Sequence, residues 1–173
     1  MGAGKSTVLS LLQERGYKCI PEQARIVLSE QRSINGDGVP EKDPELFTKL
    51  MLEKMIFEFD RNADSSEAII FDRGLPDLIA YADHFKIDRT SYLKTAEEYR
   101  YNLSVFMFPP WKEIYVNDNE RKMSYELAGE FGVNVKKIYQ ELGYNAIDVS
   151  LIAADERARF ISGSIKKIMQ NRI

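Results

Sequence analysis

The chain opens on Met1-Gly2-Ala3-Gly4-Lys5-Ser6-Thr7 and runs on through Val8, Leu9, Leu11 and Leu12, a glycine-rich turn feeding an amphipathic helix that ends near Gly16. Few openings restrict a fold so tightly. The residues match the second half of the phosphate-binding pattern G-x-x-x-x-G-K-[ST], whose first glycine and feeding strand would lie ahead of Met1. Each residue type answers a demand of polyphosphate binding. Across the Gly2-Ala3-Gly4 turn, the glycines carry no Cβ, so backbone amides can close on phosphate oxygens. Lys5 brings a positive charge to the β and γ phosphates. Ser6 offers a hydroxyl to Mg²⁺, and Thr7 follows in a helix whose positive dipole end faces the anion. Gly2 and Ser6 also fit a myristoylation pattern, but no polybasic or second acyl signal follows them. An ordinary glycine-rich turn would leave Lys5, Ser6 and Thr7 unexplained.

At 173 residues the chain is expected to form one domain over 1–173, large enough to bury a core without staples. Hydrophobic residues make up 44% and charged residues 29%, with a net charge of -3, so the composition gives no electrostatic reason to expect nucleic acid as a partner. Cys19 is the only cysteine, which excludes an intramolecular disulfide and points to a reducing compartment, the cytoplasm. The longest apolar runs, AIIF and VFMF, are too short to span a bilayer.

Four short apolar runs read as buried strands: 18–21, 68–72, 105–108 and 145–149, each separated from the next by helical pattern. Such alternation predicts an α/β fold with a parallel sheet. Asp43 and Pro44 mark the start of a long helix reaching about Ala63, by cap and by proline at the first helical position. A helix from Glu22 to about Arg32 leads into Asn35-Gly36-Asp37-Gly38, read as a mobile loop able to cover a substrate. The stretch from Asn119 to Leu142 is expected to break into two pieces at Gly129 and Gly132, since interior glycine costs about 1 kcal/mol relative to alanine. Gly143 is expected to end that helix in the left-handed conformation, and a last helix begins near Ala154. Met51, Met55, Phe57 and Phe59 are read as core.

The chemistry-bearing candidates stand at strand ends. Asp72 and Arg73 follow the run AIIF, the edge at which open parallel sheets bind ligands. Asp72 there can bind Mg²⁺ through water or take a proton from an attacking hydroxyl, and Arg73 can hold a phosphoryl oxygen. The alternative is an Asp-Arg pair capping the next helix, with Asp77 as its N-cap. Glu22 stands at the equivalent place after the preceding strand, with Arg25 on the same helical face. Arg121 and Lys122 follow the strand VFMF and the turn Pro109-Pro110-Trp111, where a basic pair at a helix start suits a lid closing over a triphosphate, the alternative being a solvated face. Trp111, between two prolines and a lysine, could stack on a base or simply pack. His84 is the only histidine and is placed at a helix end.

Together, GAGKST at a helix start, PEQAR after the next strand, FDRGLPD, PPW, the ER pair beyond it and YQELGY resemble the AAA_28-type family of P-loop proteins. The likeness spans almost the whole chain and extends to ribosylnicotinamide kinase domains and, more distantly, to nucleoside and nucleotide kinases. It implies ATP with Mg²⁺, a small-molecule acceptor, and a three-layer fold with strand order 2-3-1-4-5 whose first strand is missing from this chain. By motif, Lys5, Ser6 and Thr7 would bind phosphates and metal, and Asp72 with Arg73 would match the kinases' Asp-Arg element. Glu22 would match the acceptor-side carboxylate and Arg121 the lid arginine. The expected activity is phosphoryl transfer from ATP to a hydroxylated or nucleoside-like metabolite. The alternatives are an ATP-driven regulatory switch and an inactive remnant lacking the complete phosphate loop. The native chain is expected to start upstream of Met1, by about ten residues, to supply the central strand and first glycine.

Overall fold

The computed structural model describes residues 3–114 and 124–170. Helix α1 (Lys5–Glu14) starts from Gly4, whose φ of 68° favours glycine because an L side chain at that angle is strained. It leads to strand β1 (Lys18–Ile20), helix α2 (Gln23–Ser33) and helix α3 (Pro44–Asp60). The expected cap of α3 is present: the Asp43 carboxylate accepts from the Leu46 amide at 2.8 Å, a contact that typically contributes about 1 kcal/mol. Strand β2 (Ile69–Phe71), helix α4 (Pro76–Phe85) and helix α5 (Thr90–Glu98) follow. Strand β3 (Ser104–Met107), helix α6 (Tyr125–Glu141), strand β4 (Asn145–Asp148) and helix α7 (Ala154–Gln170) complete the order.

All four strands pair in parallel, but in two separate ladders. Lys18, Cys19 and Ile20 lie opposite Ile69, Ile70 and Phe71, and Ser104 to Met107 lie opposite Asn145 to Asp148. Among the described residues no ladder joins β2 to β3. Strand alternation then sorts side chains to two faces. On one side Val105 and Met107 pack on a large core of Val27, Phe47, Met51, Leu78, Ile79, Val135 and Ile138. On the other, Ile70, Phe106 and Phe108 pack on Val8 and Leu12 of α1, Val149, and Ala158 and Ile161 of α7. Parallel strands covered by helices on both faces make this an α/β fold.

Three expectations change. Helix α6 is continuous through Gly129 and Gly132, because Ala128, Phe131, Val135, Ile138 and Tyr139 form one buried stripe whose packing outweighs the glycine penalty. The loop at 35–38 is pinned rather than mobile: Gln31 accepts from the Gly38 amide, Lys42 donates to the carbonyls of Asn35 and Gly36, and Val39 is buried. Phe57 points outward, exposed at the end of α3, whereas Met51 and Met55 are core as read. Gly143 does end α6 with φ 81°.

Candidate functional site

A cavity of about 1010 Å³ runs between β2 and β3 and opens onto the start of α1. Ala3, Gly4, Lys5, Ser6 and Thr7 line it, as do Glu22, Arg25, Asp72 and Arg73, so the strand-end candidates and the glycine-rich turn share one wall. A helix's first amides have no intrahelical partner, and Gly4 at the N-cap has no side chain to satisfy them. Such an end, with the positive end of the helix dipole, has the chemistry that suits an anion.

Lys5 and Asp72 meet across the cavity mouth. The Lys5 ammonium donates to Asp72 Oδ1 in a close ion pair, with the lysine side chain a quarter exposed and the aspartate nearly buried. Asp72 is held there because β2 delivers it: its amide donates to the Ile20 carbonyl at 2.9 Å, extending the parallel ladder one residue beyond the strand. Ser6 and Thr7 are exposed in the first turn of α1.

Arg73 turns the other way. With φ at 74°, an angle L residues seldom adopt, it sends its guanidinium into the protein rather than toward Lys5. Nε donates to Glu22 Oε1 at 2.8 Å and Nη1 to Asp77 Oδ1 at 2.7 Å. The other Asp77 oxygen accepts from the Gly74 amide at 3.1 Å and from the Tyr139 hydroxyl at 2.8 Å. Burial disfavours the guanidinium's charge, but Glu22 first and Asp77 after it outweigh that, and its pKa stands well above the ordinary value. Tyr139 is pushed well up too, by burial and then by the Asp77 charge. Glu22 is also approached by Arg25 Nε at 3.7 Å. Asp77 lies inside the first turn of α4, with Leu75 at the N-cap position, so it braces the turn from within.

The structure thus brings Ala3, Gly4, Lys5, Ser6, Thr7, Glu22, Asp72 and Arg73 to one cavity. Gly2, Arg121 and Lys122 lie outside the described residues. Trp111 does not line the cavity; its ring packs against the Arg157 guanidinium at 5.3 Å. His84 is exposed in the last turn of α4, its ring edge-on to Phe85 and Phe131. Sequence reasoning missed Tyr139 and Arg157. Arg157 had a signal: it falls one helical turn before Ile161 on the buried stripe of α7.

No cluster of three or more carboxylate, histidine or cysteine side chains suited to a metal occurs among the described residues. A nucleotide-bound Mg²⁺ does not need one, since phosphate oxygens and waters fill most of its shell and one or two protein oxygens complete it. The Ser6 hydroxyl and Asp72 carboxylate on the cavity wall are donors of that kind.

Comparison with known proteins finds no curated protein and no solved structure that matches the chain. A family model described as an AAA domain matches residues 1–157. With that match over most of its length, the chain belongs to the AAA_28 family of P-loop nucleotide-binding domains.

Proposed function

We propose that this protein is an ATP- and Mg²⁺-dependent phosphotransferase acting on a small hydroxylated or nucleoside-like metabolite. The observation that carries the reading is the Lys5–Asp72 contact, which sets the phosphate-loop cation against a strand-end carboxylate at the mouth of a cavity large enough for a nucleotide and an acceptor. Lys5 and the amides at the start of α1 hold the β and γ phosphates. Ser6 and Asp72 would hold Mg²⁺, which when bound neutralises charge on the phosphates. Glu22, kept in place by Arg73 and Arg25, orients the acceptor hydroxyl and takes its proton as the oxygen attacks the γ phosphorus. The new O–P bond forms as the bond to the bridging oxygen breaks, and ADP leaves with that electron pair. Arg73, committed to two buried carboxylates, positions Glu22 rather than touching phosphate.

The same reading gives the strand pairs the kinase order 2-3-1-4-5, with β1 and β2 as its second and third strands and β3 and β4 as its fourth and fifth.

The test of function is ADP release with ATP and Mg²⁺ across a panel of nucleosides, sugars and vitamins. At least one compound is expected to raise the rate above basal and to lose that stimulation in Glu22→Gln. Basal hydrolysis that no compound changes would replace the kinase reading with an ATP-driven switch.

A further inference from the structure

Arg157 is the unusual cation of this molecule. It lies in the first turns of α7 and is 3% exposed, and its side chain makes a single hydrogen bond among the described residues, from Nη1 to the Ala3 carbonyl at 2.7 Å. Its Nε is buried without a partner, and no described carboxylate pairs with it. Phe108 and Trp111 pack on the guanidinium at 5.8 and 5.3 Å, and these contacts desolvate it without neutralising it. Burial pulls its pKa below the ordinary arginine value. A buried charge without a counter-charge is costly, and an apolar residue of similar size would pack there more favourably.

The position of the head explains why a cation is kept. A Cβ added to Gly4 would stand 2.7 Å from Arg157 Nη2 and 3.4 Å from its Cζ, so the guanidinium lies directly behind the residue that caps α1. Ala3 and Gly4 line the cavity while Arg157 does not, so any ligand meets the turn and not the arginine. We propose that Arg157 is a positioning residue for the phosphate site: it anchors the turn through the Ala3 carbonyl and places a fixed positive charge behind the α1 terminus, strengthening its hold on a polyphosphate. With no counter-charge among the described residues, the ligand's own phosphates supply one. This rests on reading that terminus as an anion site, and it adds a third positive element to Lys5 and the helix dipole.

The experiment measures binding of inorganic pyrophosphate and of ATP, each with Mg²⁺, by calorimetry on the whole chain and three variants. Arg157→Gln keeps a donor for the Ala3 carbonyl and drops the charge; Arg157→Lys keeps the charge and drops the fork; Arg157→Met drops both. Expected is at least a tenfold loss of affinity for both ligands in the Gln and Met variants, a shallower salt dependence, and substantial recovery in the Lys variant. Wild-type affinity for pyrophosphate in Arg157→Gln overturns the proposal, as does a Lys variant no better than Gln, which would mark a packing role. Comparison of Gln with Lys decides the matter even if Met fails to fold. Wild-type protein that binds pyrophosphate but no ATP defeats the nucleotide reading and leaves Arg157 standing; one that binds neither overturns both.

Discussion

The two buried arginines beside the cavity stand in opposite electrostatic settings. At the start of α4, Arg73 is enclosed by Glu22 and Asp77, and the spare Asp77 oxygen is taken by Gly74 and Tyr139. At the start of α1, Arg157 has a carbonyl and two aromatic rings, and Lys5 nearby adds a second cation paired with Asp72. The first region is closed in charge: Arg73 is answered within the protein by Glu22 and Asp77. In the second, no carboxylate among the described residues pairs with Arg157. The closed network fixes the geometry of the strand ends, and the unbalanced end is where an anion gains most.

The sharpest way to break this contrast is to remove the cation from the closed side. Arg73→Met leaves Glu22 and Asp77 buried without their partner and should destabilise the fold by about 3–5 kcal/mol in urea unfolding. A loss below about 1 kcal/mol would mean the network is not what holds the α4 turn. On the open side, Lys5→Met is expected to cut ATP turnover by about 10²–10³-fold, the scale seen when a charge-stabilising donor is lost. Its effect on stability should be smaller than that of Arg73→Met, because Lys5 is partly solvated. Turnover unchanged within a factor of three would remove Lys5 from the phosphate site.

The smallest effect sharpens the comparison through pH. Tyr139→Phe removes one of the two donors to Asp77 Oδ2 and should cost about 1–2 kcal/mol at neutral pH. The folded phenol titrates above its ordinary value, so the native state keeps a proton that the unfolded chain releases. Stability linked to this group is complete below about pH 10 and is lost as the pH rises beyond it. Denaturation midpoints at pH 9 and pH 11 should therefore fall less in the Phe variant than in wild type. Equal falls would show that Tyr139 ionises as freely in the folded protein as in the unfolded one.

Much of this architecture is legible in the residues because it depends on local patterns. The four strand runs are short, and AIIF and VFMF are unbroken apolar stretches, as strands covered on both faces tend to be. Asp43-Pro44 and Gly143 mark helix ends through their own backbone chemistry. Glycines 129 and 132 mislead because their weakness is local, while the stripe of Phe131, Val135 and Ile138 against α4 is tertiary. The same limit hid the closed network. Arg73 and Asp77 are one helical turn apart, but Tyr139 meets Asp77 from 62 positions away, and nothing in YQELGY announces it. Arg157 was concealed by its company, since ADERARF reads as a solvated charged face until the period of Ala158, Ile161 and Ile165 is laid over it.

The separation of β2 from β3 has a consequence for how the protein behaves in a crowded tube. Strands of three and four residues, apolar and half-buried, turn their outer edges inward between α1 and α7 on one side and α6 on the other. An edge of that composition is a template for another polypeptide, and here the helices are its shield. Heating that loosens α7 should therefore provoke clumping before the larger core of α3, α4 and α6 melts, so turbidity would rise ahead of the loss of helical signal.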